Sequence, residues 1–350
     1  MSAQRILICL HDFHRGGTER IALGLARDWT GAGRAVTILC GSLEGGLRED
    51  VDPRVRVVPL ELPVRRGFLS RLRLARAMAR QLAALKPDLI FLPGNFHAPL
   101  ANSLRRATDA PIVLKISNPA VPAGVPFAFS IFRWLTRGVS GFAAMNRGLQ
   151  RQLQPMLPGR PVVTLYDPVY LHAVPAARKS GDRLLWIGRL EPQKDPLLAL
   201  KIMAAATGLR LTMLGEGSLR RDVEQGIQKL SLQDRVTLEG HVAAIEPFLA
   251  EADALLITSR YEGGPAVAVE ALAQGVPVVS TDCSFLLHDL ITSPEAGIVL
   301  RSRDPDLFAA ALREILALPA APQARQVLAA PFEPRACAKA YLDWFDSLDG

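Results

Sequence analysis

Short apolar runs alternate along the chain with longer segments of mixed polarity. In one clear case the run Ala254–Thr258 is followed by glycines and then by an apolar segment that ends at Gly275. A run of this length predicts a buried parallel strand. The segment after it predicts a buried helix, with Pro265 at its first position and Gly275 at its end. Because Pro277–Thr281 predicts another strand, this stretch is expected to form a strand–loop–helix–strand unit.

The same alternation occurs in two series, separated by a proline-containing polar stretch at residues 166–182. Strands of the first series are expected near Arg5–Leu10, Ala35–Leu39, Val55–Leu60, Asp88–Leu92, Ile112–Ile116, Gly141–Met145 and Pro161–Leu165. Strands of the second series are expected near Leu184–Ile187, Arg210–Leu214, Arg235–Leu238, Leu255–Thr258, Val278–Thr281 and Gly297–Leu300. Strands that alternate with helices predict a doubly wound parallel sheet in each series.

The length of 350 residues also favours two domains. The expected division is an N-terminal domain at 1–167, a linker at 168–182, a C-terminal domain at 183–330 and a final segment at 331–350. Within the first domain, Thr18 is expected to cap a helix that runs to about Trp29. The final helix, near Pro334–Leu348, follows a Pro/Ala-rich stretch, so it is expected to pack apart from the core of the second domain.

Charge is distributed unevenly between the two halves. Residues 1–167 contain 23 Lys/Arg and 11 Asp/Glu, whereas residues 168–350 contain 18 and 23. The basic first half and the mildly acidic second half suggest different partners, although random drift of the surface gives the same asymmetry. The four cysteines are far apart and form no C-x-x-C pair, which argues against disulfides and structural zinc and favours a cytoplasmic location. Neither a leader peptide nor a transmembrane run of about 18 apolar residues is expected.

Two loops at the carboxyl ends of second-series strands carry polar or glycine residues suited to a ligand. In the first, Arg189 and Lys194 lie between a strand end and a helix start. Asp195 is expected to cap that helix, with Pro196 at its first position. Two cations beside a helix start can hold a diphosphate, although ordinary surface cations have the same pattern. In the second loop, the turn Gly215–Gly217 permits close approach of a ligand.

A third loop precedes the apolar helix described above and introduces two acids. Glu262 lies in the loop, and Glu270 lies about one and a half turns into the helix. A lone carboxylate inside an apolar helix is costly unless a group pairs with it. Because ligands bind outside the carboxyl ends of strands in open α/β sheets, a ligand with hydroxyl groups to donate would explain both acids.

The loops together form a recognisable pattern. It consists of G-R-L-E-P-Q-K-D-P at 188–196, L-G-E-G-S at 214–218, R-V-T-L-E-G-H at 235–241 and S-R-Y-E-G-G-P-A-V-A-V-E-A-L-A-Q-G-V-P-V-V-S-T-D at 259–282. This pattern resembles glycosyltransferase family 4, a family of retaining enzymes with the GT-B fold, and Glu262 and Glu270 match its E-x7-E motif. The resemblance covers most of 184–300, and the first half matches through R-G-G-T-E-R and the order of its elements. It implies two Rossmann-like domains that face a cleft, with the last helix crossing back to the first domain.

The resemblance also implies roles for individual residues. Arg189 and Lys194 would bind the donor diphosphate and support the leaving phosphate, which makes them catalytic candidates. Glu270 would accept hydrogen bonds from the ribose hydroxyls, and Glu262 would lie near the hydroxyls of the donor sugar. Glu262 and His97 are the further catalytic candidates. The other implied donor-binding residues are Gly16, Gly17, Gly215, His241, Val242, Gly263, Gly264, Pro265 and Ala266.

Polar residues of the first half are candidates for contact with the reacting sugar or the acceptor. His97 follows a strand at a position where members of this family often have a histidine near the reacting sugar; an ordinary loop or core histidine is the alternative. The weaker candidates are Asn95, Lys115, His11 and His14. His11 and His14 are more simply interpreted as surface loop residues. Met145 and Asn146 stand where members often have a serine, so no role is carried over to that segment.

The expected chemistry uses no metal ion and no cofactor. When a nucleotide-sugar breaks, negative charge develops on the β-phosphate, and fixed cations and helix amides can stabilise it. The resemblance implies a front-face mechanism, in which the leaving phosphate takes the proton of the acceptor. Asp50-Val-Asp52 is a D-x-D pair, but it lies among charges before a strand and is interpreted as a solvated loop. No other metal-binding pattern and no G-x-G-x-x-G dinucleotide fingerprint is present.

The sequence therefore predicts a retaining hexosyltransferase that uses a nucleotide-sugar. The segment S-R-Y-E-G-G-P favours a UDP-sugar. Hexose or N-acetylhexosamine is the expected transferred group, and the expected acceptor is a glycan or a lipid-linked molecule in cell-surface polysaccharide, lipopolysaccharide or glycolipid synthesis. Two alternatives on the same fold stay open, a nucleotide-sugar 2-epimerase and an inactive nucleotide-binding protein. The sequence names neither the donor sugar nor the acceptor.

An arginine-rich amphipathic helix is expected at residues 68–85, after Arg65-Arg66. Together with the apolar residues 125–135, it suits docking to an anionic membrane surface at the cytoplasmic face. An ordinary amphipathic surface helix followed by a core segment is the alternative. Nucleic acid is not expected as a partner, because no aromatic stacking module or reading helix accompanies the charge.

Overall fold

Two units, each with its own parallel sheet, make up the fold. The computed structural model describes residues 3–14, 16–64, 70–118, 128–171 and 181–348. The units are Met1–Pro168 together with Phe332–Gly350, and Val169–Pro331. Helices connect successive parallel strands in both sheets. The predicted α/β class with two doubly wound sheets is therefore confirmed.

The first unit is built on seven described strands. They are β1 (Arg5–Leu10), β2 (Ala35–Cys40), β3 (Arg56–Pro59), β4 (Leu89–Leu92), β5 (Ile112–Ile116), β6 (Gly141–Ala144) and β7 (Val162–Thr164). The helices are α1 (Gly17–Gly31), α2 (Ser70–Leu85), α3 (Ala101–Arg105), α4 (Ala128–Leu135) and α5 (Arg147–Leu153), with 3-10 helices at Gly46–Arg48, Asn95–Leu100 and Gln154–Met156. The sheet order is β3-β2-β1-β4-β5-β6-β7, so the order reverses between β1 and β4.

The second unit repeats the plan with six described strands. They are β8 (Arg183–Ile187), β9 (Arg210–Leu214), β10 (Val236–Gly240), β11 (Ala254–Ile257), β12 (Val278–Thr281) and β13 (Gly297–Leu300). The helices are α6 (Pro196–Ala205), α7 (Arg220–Lys229), α8 (Glu246–Glu251), α9 (Ala266–Ala273), α10 (Phe285–Leu290), α11 (Pro305–Ala317) and α12 (Pro322–Ala329). The sheet order is β10-β9-β8-β11-β12-β13, and here it reverses between β8 and β11. The inner strands β11 and β12 are buried throughout, as expected where helices cover both faces of a parallel sheet.

The last helix, α13 (Pro334–Ser347), follows a 3-10 helix at Ala330–Phe332 and belongs to the first unit. Its Tyr341 and Phe345 rings lie 5.7 and 5.2 Å from the ring of Trp29 on α1. Asp346 pairs with Arg34 at 2.6 Å. The helix therefore completes the core of the first unit.

Helix ends are partly as expected. Asp195 caps α6, with its carboxylate accepting from the Leu198 amide at 3.3 Å, as predicted. Gly275 follows the end of α9 with φ +73°, also as predicted. The expectation that Thr18 caps α1 is wrong: the extended residue before the helix is Gly16, where a Cβ would collide with the Glu19 carboxylate. The expectation that Pro265 is the first residue of α9 is also wrong, because its ψ of 95° makes it the extended residue before the helix.

Parts of two sequence expectations fall outside the described residues. These are most of the linker, at 172–180, and the segments that precede α2 and α4, at 65–69 and 119–127. Among the helices that the structure describes, none combines the length and the apolar composition needed to cross a bilayer.

Candidate functional site

The loops that carry Lys194 and Glu262 lie side by side in the second unit. They follow β8 and β11, the neighbouring strands between which the strand order reverses. At such a switch point the connections leave toward opposite faces of the sheet and open a crevice at the carboxyl ends of the strands. The fold thus brings two of the predicted loops to the position where open α/β sheets bind ligands.

Lys194 and Glu262 form an ion pair in this position. The distance from Nζ to Oε1 is 2.5 Å, and the side chains are only 18% and 10% exposed. The Ser259 hydroxyl donates to the same carboxylate oxygen at 2.8 Å, and the Glu262 amide donates to the Cys283 carbonyl at 2.7 Å. Glu262 is therefore held at both its backbone and its side chain, and it supplies the charge that faces Lys194.

A buried hydroxyl fixes the backbone that carries Lys194. Thr258 Oγ1 lies 2.9 Å from the carbonyl oxygens of both Lys194 and Asp195. The same oxygen accepts a hydrogen bond from the indole Nε1 of Trp186 at 2.9 Å. Because Thr258 and Trp186 are almost fully buried, these bonds are made in a low dielectric, where polar groups are costly to leave unpaired.

Asp195 ties three parts of the second unit together. One carboxylate oxygen caps α6, and the other lies 2.8 Å from a guanidinium nitrogen of Arg260 and of Arg303. Arg303 also donates to the Thr258 carbonyl at 2.9 Å. Asp195 has φ +47°, an unusual conformation for a non-glycine residue, and these bonds hold it there. The start of α6 is therefore already neutralised by a carboxylate.

The start of α9 differs from the start of α6. The residue before it, Pro265, provides no side-chain cap. Within the described residues, the backbone amides of Gly263, Gly264 and Ala266 donate no hydrogen bond to an acceptor outside α9. Unsatisfied amides and the positive end of the helix dipole make such a start suited to an anion. Of the two helix starts at this switch point, that of α9 is therefore the one suited to an anion.

Glu270 is the second acid of the motif and lies inside α9. Burial raises its pKa from 4.5 to about 7; nearby Glu246 acts in the same direction, and Lys194 acts against them. No described residue forms a hydrogen bond or an ion pair with its carboxylate. A half-buried acid with a strongly raised pKa at a crevice is a candidate for ligand binding. The raised pKa thus agrees with the expectation that a charged carboxylate is unfavourable at this position of the helix.

Arg189 shares a loop with Lys194 but is exposed, and its guanidinium donates only to Gln193 at 3.3 Å. Gly215, in the next loop, has φ +129°, and a Cβ there would collide with the Gly188 carbonyl. A Cβ at Gly217 would likewise collide with the Leu190 carbonyl. These glycines therefore permit a close approach to the backbone of the loop after β8, and ligand contact at Gly215 stays a prediction.

His241 and Val242 follow β10, the edge strand of the sheet. His241 is exposed and forms no hydrogen bond or ion pair with the residues that the structure describes. Two strands, β9 and β8, separate this loop in sheet order from the loop of Glu262. Their assignment to the donor site stays a prediction.

The first unit has its own switch point, between β1 and β4. Gly16 and Gly17 lie at the start of α1 after β1, and His97 lies in the 3-10 helix after β4 with only 2% of its surface exposed. These loops touch, because a Cβ at Gly94 would lie 3.0 Å from the Thr18 side chain. The fold therefore places His97 and the two glycines at one edge of the first sheet.

The weaker candidates of the first unit have internal partners. The Asn95 side chain bonds to the backbone of Ser117 and Asn118, at 2.9 and 3.0 Å. Lys115 is buried and pairs with Asp167 at 2.6 Å. His11 is buried too, with Nε2 2.8 Å from the Val64 carbonyl, so its interpretation as a surface residue is wrong.

Two further polar groups of the first unit also serve the chain itself. His14 lies 3.1 Å from Asp12. Asn146, at the segment without an assigned role, caps α5 by accepting from the Leu149 amide at 2.8 Å. Both side chains therefore contact residues close to them in the sequence.

The D-x-D pair behaves as expected for a loop. Asp52 binds the Arg54 guanidinium at 2.8 and 3.0 Å, and these hydrogen bonds lower the pKa of its carboxyl to about 2. Among the described residues, no group of three or more His, Cys, Asp or Glu side chains is arranged to hold a metal ion.

Sequence reasoning missed the residues that position the site. Ser259 lies within the quoted motif, where its distance of three residues from Glu262 could have suggested a hydrogen bond. Arg303 lies 108 residues from Asp195 along the chain, and no local pattern signals their contact. Thr258 was expected only as the end of a strand, although a polar residue at the end of a buried run is itself a signal of a partner.

Comparison with known families accounts for both units. Residues 171–329 match the model described as glycosyl transferases group 1, and residues 16–166 match the model described as glycosyl transferase 4-like domain. The two matches follow each other along the chain and coincide with the two units. Together they indicate that the chain is a glycosyltransferase of the GT-B fold, group 1.

Individual relatives agree with this assignment. The lipopolysaccharide 1,6-galactosyltransferase of Salmonella typhimurium is 28% identical over 159 residues, which are 42% of this chain and 44% of that protein. The chain spans less than half of the length of several curated relatives that it matches, from 28% to 47%. The names of these relatives describe glycosyltransferases, and in the Salmonella protein the acceptor named is lipopolysaccharide.

Two solved structures share the fold over almost the whole chain. The lipopolysaccharide outer core galactosyltransferase WaaB, in its apo form, has a TM-score of 0.81 at 18% identity and covers 98% of this chain and 99% of its own. HepE of Anabaena, in complex with UDP, has a TM-score of 0.79 at 17% identity, with 98% and 100% covered. At these identities the two structures establish the GT-B fold.

Proposed function

We propose that this GT-B glycosyltransferase transfers a hexose or N-acetylhexosamine from a UDP-sugar to a glycan or lipid-linked acceptor, with retention and without a metal ion. The context is the synthesis of lipopolysaccharide or another cell-surface polysaccharide. The observation that carries the proposal is the Lys194–Glu262 pair at the switch point of the second unit, beside the uncapped start of α9 and the half-buried Glu270. HepE was solved with UDP, which supports UDP as the nucleotide.

The diphosphate of the donor binds Lys194 and the amides at the start of α9, and Arg189 adds a second cation. Without a ligand, Lys194 is neutralised by Glu262 at 2.5 Å. A diphosphate competes for the ammonium group, and its charge is larger than that of one carboxylate. Lys194 then faces the β-phosphate, where charge develops as the glycosidic bond breaks. The bonds of Thr258 fix the backbone of Lys194, so only its side chain has to turn when the diphosphate binds.

Glu262 and Glu270 bind hydroxyl groups of the donor. Ser259 keeps the Glu262 carboxylate in place when Lys194 turns to the phosphate, so the acid can accept from a hydroxyl of the sugar. Glu270 has no donor among the described residues, and the two ribose hydroxyls supply the missing hydrogen bonds. Hydrogen bonds to the ionised form lower a carboxyl pKa, so donor binding favours loss of the proton that burial retains.

Retention follows from a front-face reaction in this proposal. The acceptor hydroxyl attacks the anomeric carbon on the side from which the diphosphate leaves. Its proton passes to the departing phosphate oxygen, whose negative charge Lys194 and Arg189 balance. Neither Glu262 nor Glu270 acts as the nucleophile, because both are engaged with hydroxyl groups of the donor.

The first unit binds the acceptor in this proposal. His97, Gly16 and Gly17 share the switch-point edge of its sheet, and we assign His97 to contact with the reacting sugar. The exposed arginines of α2 face outward, and we assign them to an anionic membrane at its cytoplasmic face. They are Arg71, Arg73, Arg76 and Arg80.

A panel of nucleotide-sugars with a mixture of candidate acceptors tests the proposal. UDP release from at least one UDP-sugar, with the anomeric configuration kept in the product, is the expected result. Formation of an epimer of the free nucleotide-sugar would instead support a 2-epimerase. If the protein binds UDP but neither transfers nor slowly hydrolyses any UDP-sugar, an inactive nucleotide-binding protein would be supported.

A further inference from the structure

Two adjoining cavities in the first unit carry an arginine cluster that the donor chemistry does not use. The larger has a volume of about 640 Å³ and is lined by Arg71, Arg105, Arg106 and Arg137, together with apolar and small residues. The smaller, of about 470 Å³, is lined by Arg133, Arg137 and Arg160. Trp134 and Arg137 line both cavities, so the two spaces form one continuous surface.

An exposed apolar ridge separates the two cavities. Trp134 is 58% exposed, and Ile131 on the same helix is 54% exposed. The two lie three residues apart on α4 and therefore share a face of the helix. Leu72 at the rim of the larger cavity is 47% exposed as well. Large apolar side chains that remain in water beside concentrated positive charge indicate an interaction surface.

The ridge is held firmly by bonds at the end of α4. The Asn102 side chain donates to the Trp134 carbonyl and accepts from the Gly138 amide, both at 2.8 Å. Arg160 donates to the Thr136 carbonyl at 2.5 Å. These contacts satisfy carbonyls that the helix end leaves without partners. The exposed position of Trp134 is thus built into the fold of the first unit.

The arginine cluster has no carboxylate to neutralise it within the part of the chain that the structure describes. None of the cavity arginines lies within 4.0 Å of an Asp or Glu side chain there. Burial lowers the pKa of Arg160, and the neighbouring charge of Arg133 lowers it further. A cluster of guanidinium groups in this state favours phosphate groups, which their planar donors bind in pairs.

We propose that this surface docks on an anionic membrane, with lipid phosphate groups in the two cavities and Trp134 and Ile131 in the interfacial layer between them. Charge complementarity selects the occupant, because arginine-lined cavities on both sides of an apolar ridge match charged headgroups around apolar lipid. Tryptophan is suited to the boundary between headgroups and chains. This docking site rests on the membrane partner proposed above and is independent of the donor site in the second unit.

Tryptophan fluorescence with vesicles tests the proposal directly. Trp29 and Trp186 are buried at 0% and 2% exposure, Trp344 is partly buried and Trp134 is 58% exposed, so Trp134 is expected to give most of the change on docking. Vesicles of phosphatidylcholine with phosphatidylglycerol are expected to shift the emission to the blue, and brominated lipids to quench it. Trp134→Phe is expected to lose both signals. A quenching signal that persists in this variant would overturn the assignment.

Charge reversal separates this surface from general basicity. The double variant Arg106→Glu/Arg137→Glu is expected to bind these vesicles at least ~10-fold more weakly, because each lost basic residue contributes about fivefold at such a surface and the two losses multiply. The matched control Arg221→Glu/Arg313→Glu makes the same change of charge at exposed positions of the second unit and is expected to keep most of the binding. Arg106→Gln/Arg137→Gln serves as a milder pair if the reversal disturbs folding.

The remaining outcomes also decide the matter. Equal binding of the double variant and wild type, or equal binding to vesicles of phosphatidylcholine alone, would contradict the proposal. A Trp134 response to inorganic pyrophosphate but not to vesicles would replace the membrane with a free diphosphate ligand. UDP affinity, measured in parallel, is expected to be the same in both double variants and in wild type. A failure of the donor site would therefore be seen separately from a failure of docking.

Discussion

Glu270→Gln should make the second unit more stable and its nucleotide site weaker. Burial raises the pKa of this acid from 4.5 to about 7, so the folded chain retains a proton that the unfolded chain releases. The stability that this acid contributes is fully present below about pH 4.5 and is lost as pH rises through about 7. Glutamine has the shape of the neutral acid and does not ionise.

The magnitude follows from the difference between the two pKa values. A shift of about 2.5 units, at 1.36 kcal/mol per unit, corresponds to about 3 kcal/mol. At about pH 8 the variant should therefore have a free energy of unfolding that is higher by up to about 3 kcal/mol. Near pH 4.5 the two proteins should differ little. Chemical denaturation at both pH values, with the two chains side by side, measures this difference.

Nucleotide binding should show the opposite effect. If the ribose hydroxyls donate to the carboxylate, the UDP affinity of wild type should rise about tenfold from about pH 6 to about pH 8, as the ionised fraction rises. At about pH 8, Glu270→Gln should bind UDP more weakly than wild type does. Protonation of UDP itself affects both proteins equally, so the ratio of the wild-type affinity to the Glu270→Gln affinity at each pH isolates the effect of Glu270. Equal stability at about pH 8, or a ratio that does not change with pH, would refute the assigned role of Glu270.

Four further predictions follow from the second unit. Lys194→Ala should lower turnover by at least ~100-fold in a donor-release assay, since a fixed transition-state contact is worth that much, whereas Arg301→Ala, at a side chain 89% exposed in the same unit, should not change it. Thr258→Val should lower the free energy of unfolding by about 1–3 kcal/mol because it leaves the Trp186 indole and two carbonyls without their partner; Thr258→Ser, which keeps the hydroxyl, should restore most of it in the same denaturation assay. Gly215→Ala should lower the melting temperature by several degrees, because φ +129° and the Gly188 carbonyl both exclude a Cβ; an unchanged melting curve would contradict this. EDTA should leave the rate of transfer unchanged, and a loss that Mg²⁺ or Mn²⁺ restores would disprove the metal-free proposal.

The fold could be predicted because its signals are local. Runs such as Leu89–Leu92 and Ala254–Ile257 are apolar throughout and end at glycines or polar residues, so their type and order can be read in the sequence. Asp195 before Pro196 likewise fixes a helix start by local hydrogen bonding. The prediction that Thr18 caps α1 is wrong because Gly16, two residues earlier, is the extended residue before the helix, and the Glu19 carboxylate lies against Gly16.

The candidate site was only partly open to the same reasoning. Glu262 and Glu270 stand out because acids are costly beside apolar residues, whatever their distant neighbours. The pairing of Glu262 with Lys194 spans two strands and depends on the strand order of the sheet. Arg303 reaches Asp195 across 108 residues, and nothing in its own segment distinguishes it from a surface arginine. Contacts of this kind are set by topology rather than by spacing.

Calorimetric titration of UDP into wild type and Lys194→Ala, with GDP and ADP as competing nucleotides, tests the central claim most directly. Wild type is expected to bind UDP more tightly than GDP or ADP. Lys194→Ala is expected to bind UDP at least ~10-fold more weakly, because a cation that faces the diphosphate is lost. Absence of UDP binding by wild type, or equal affinity of the two proteins for UDP, would contradict a donor site at the Lys194–Glu262 pair.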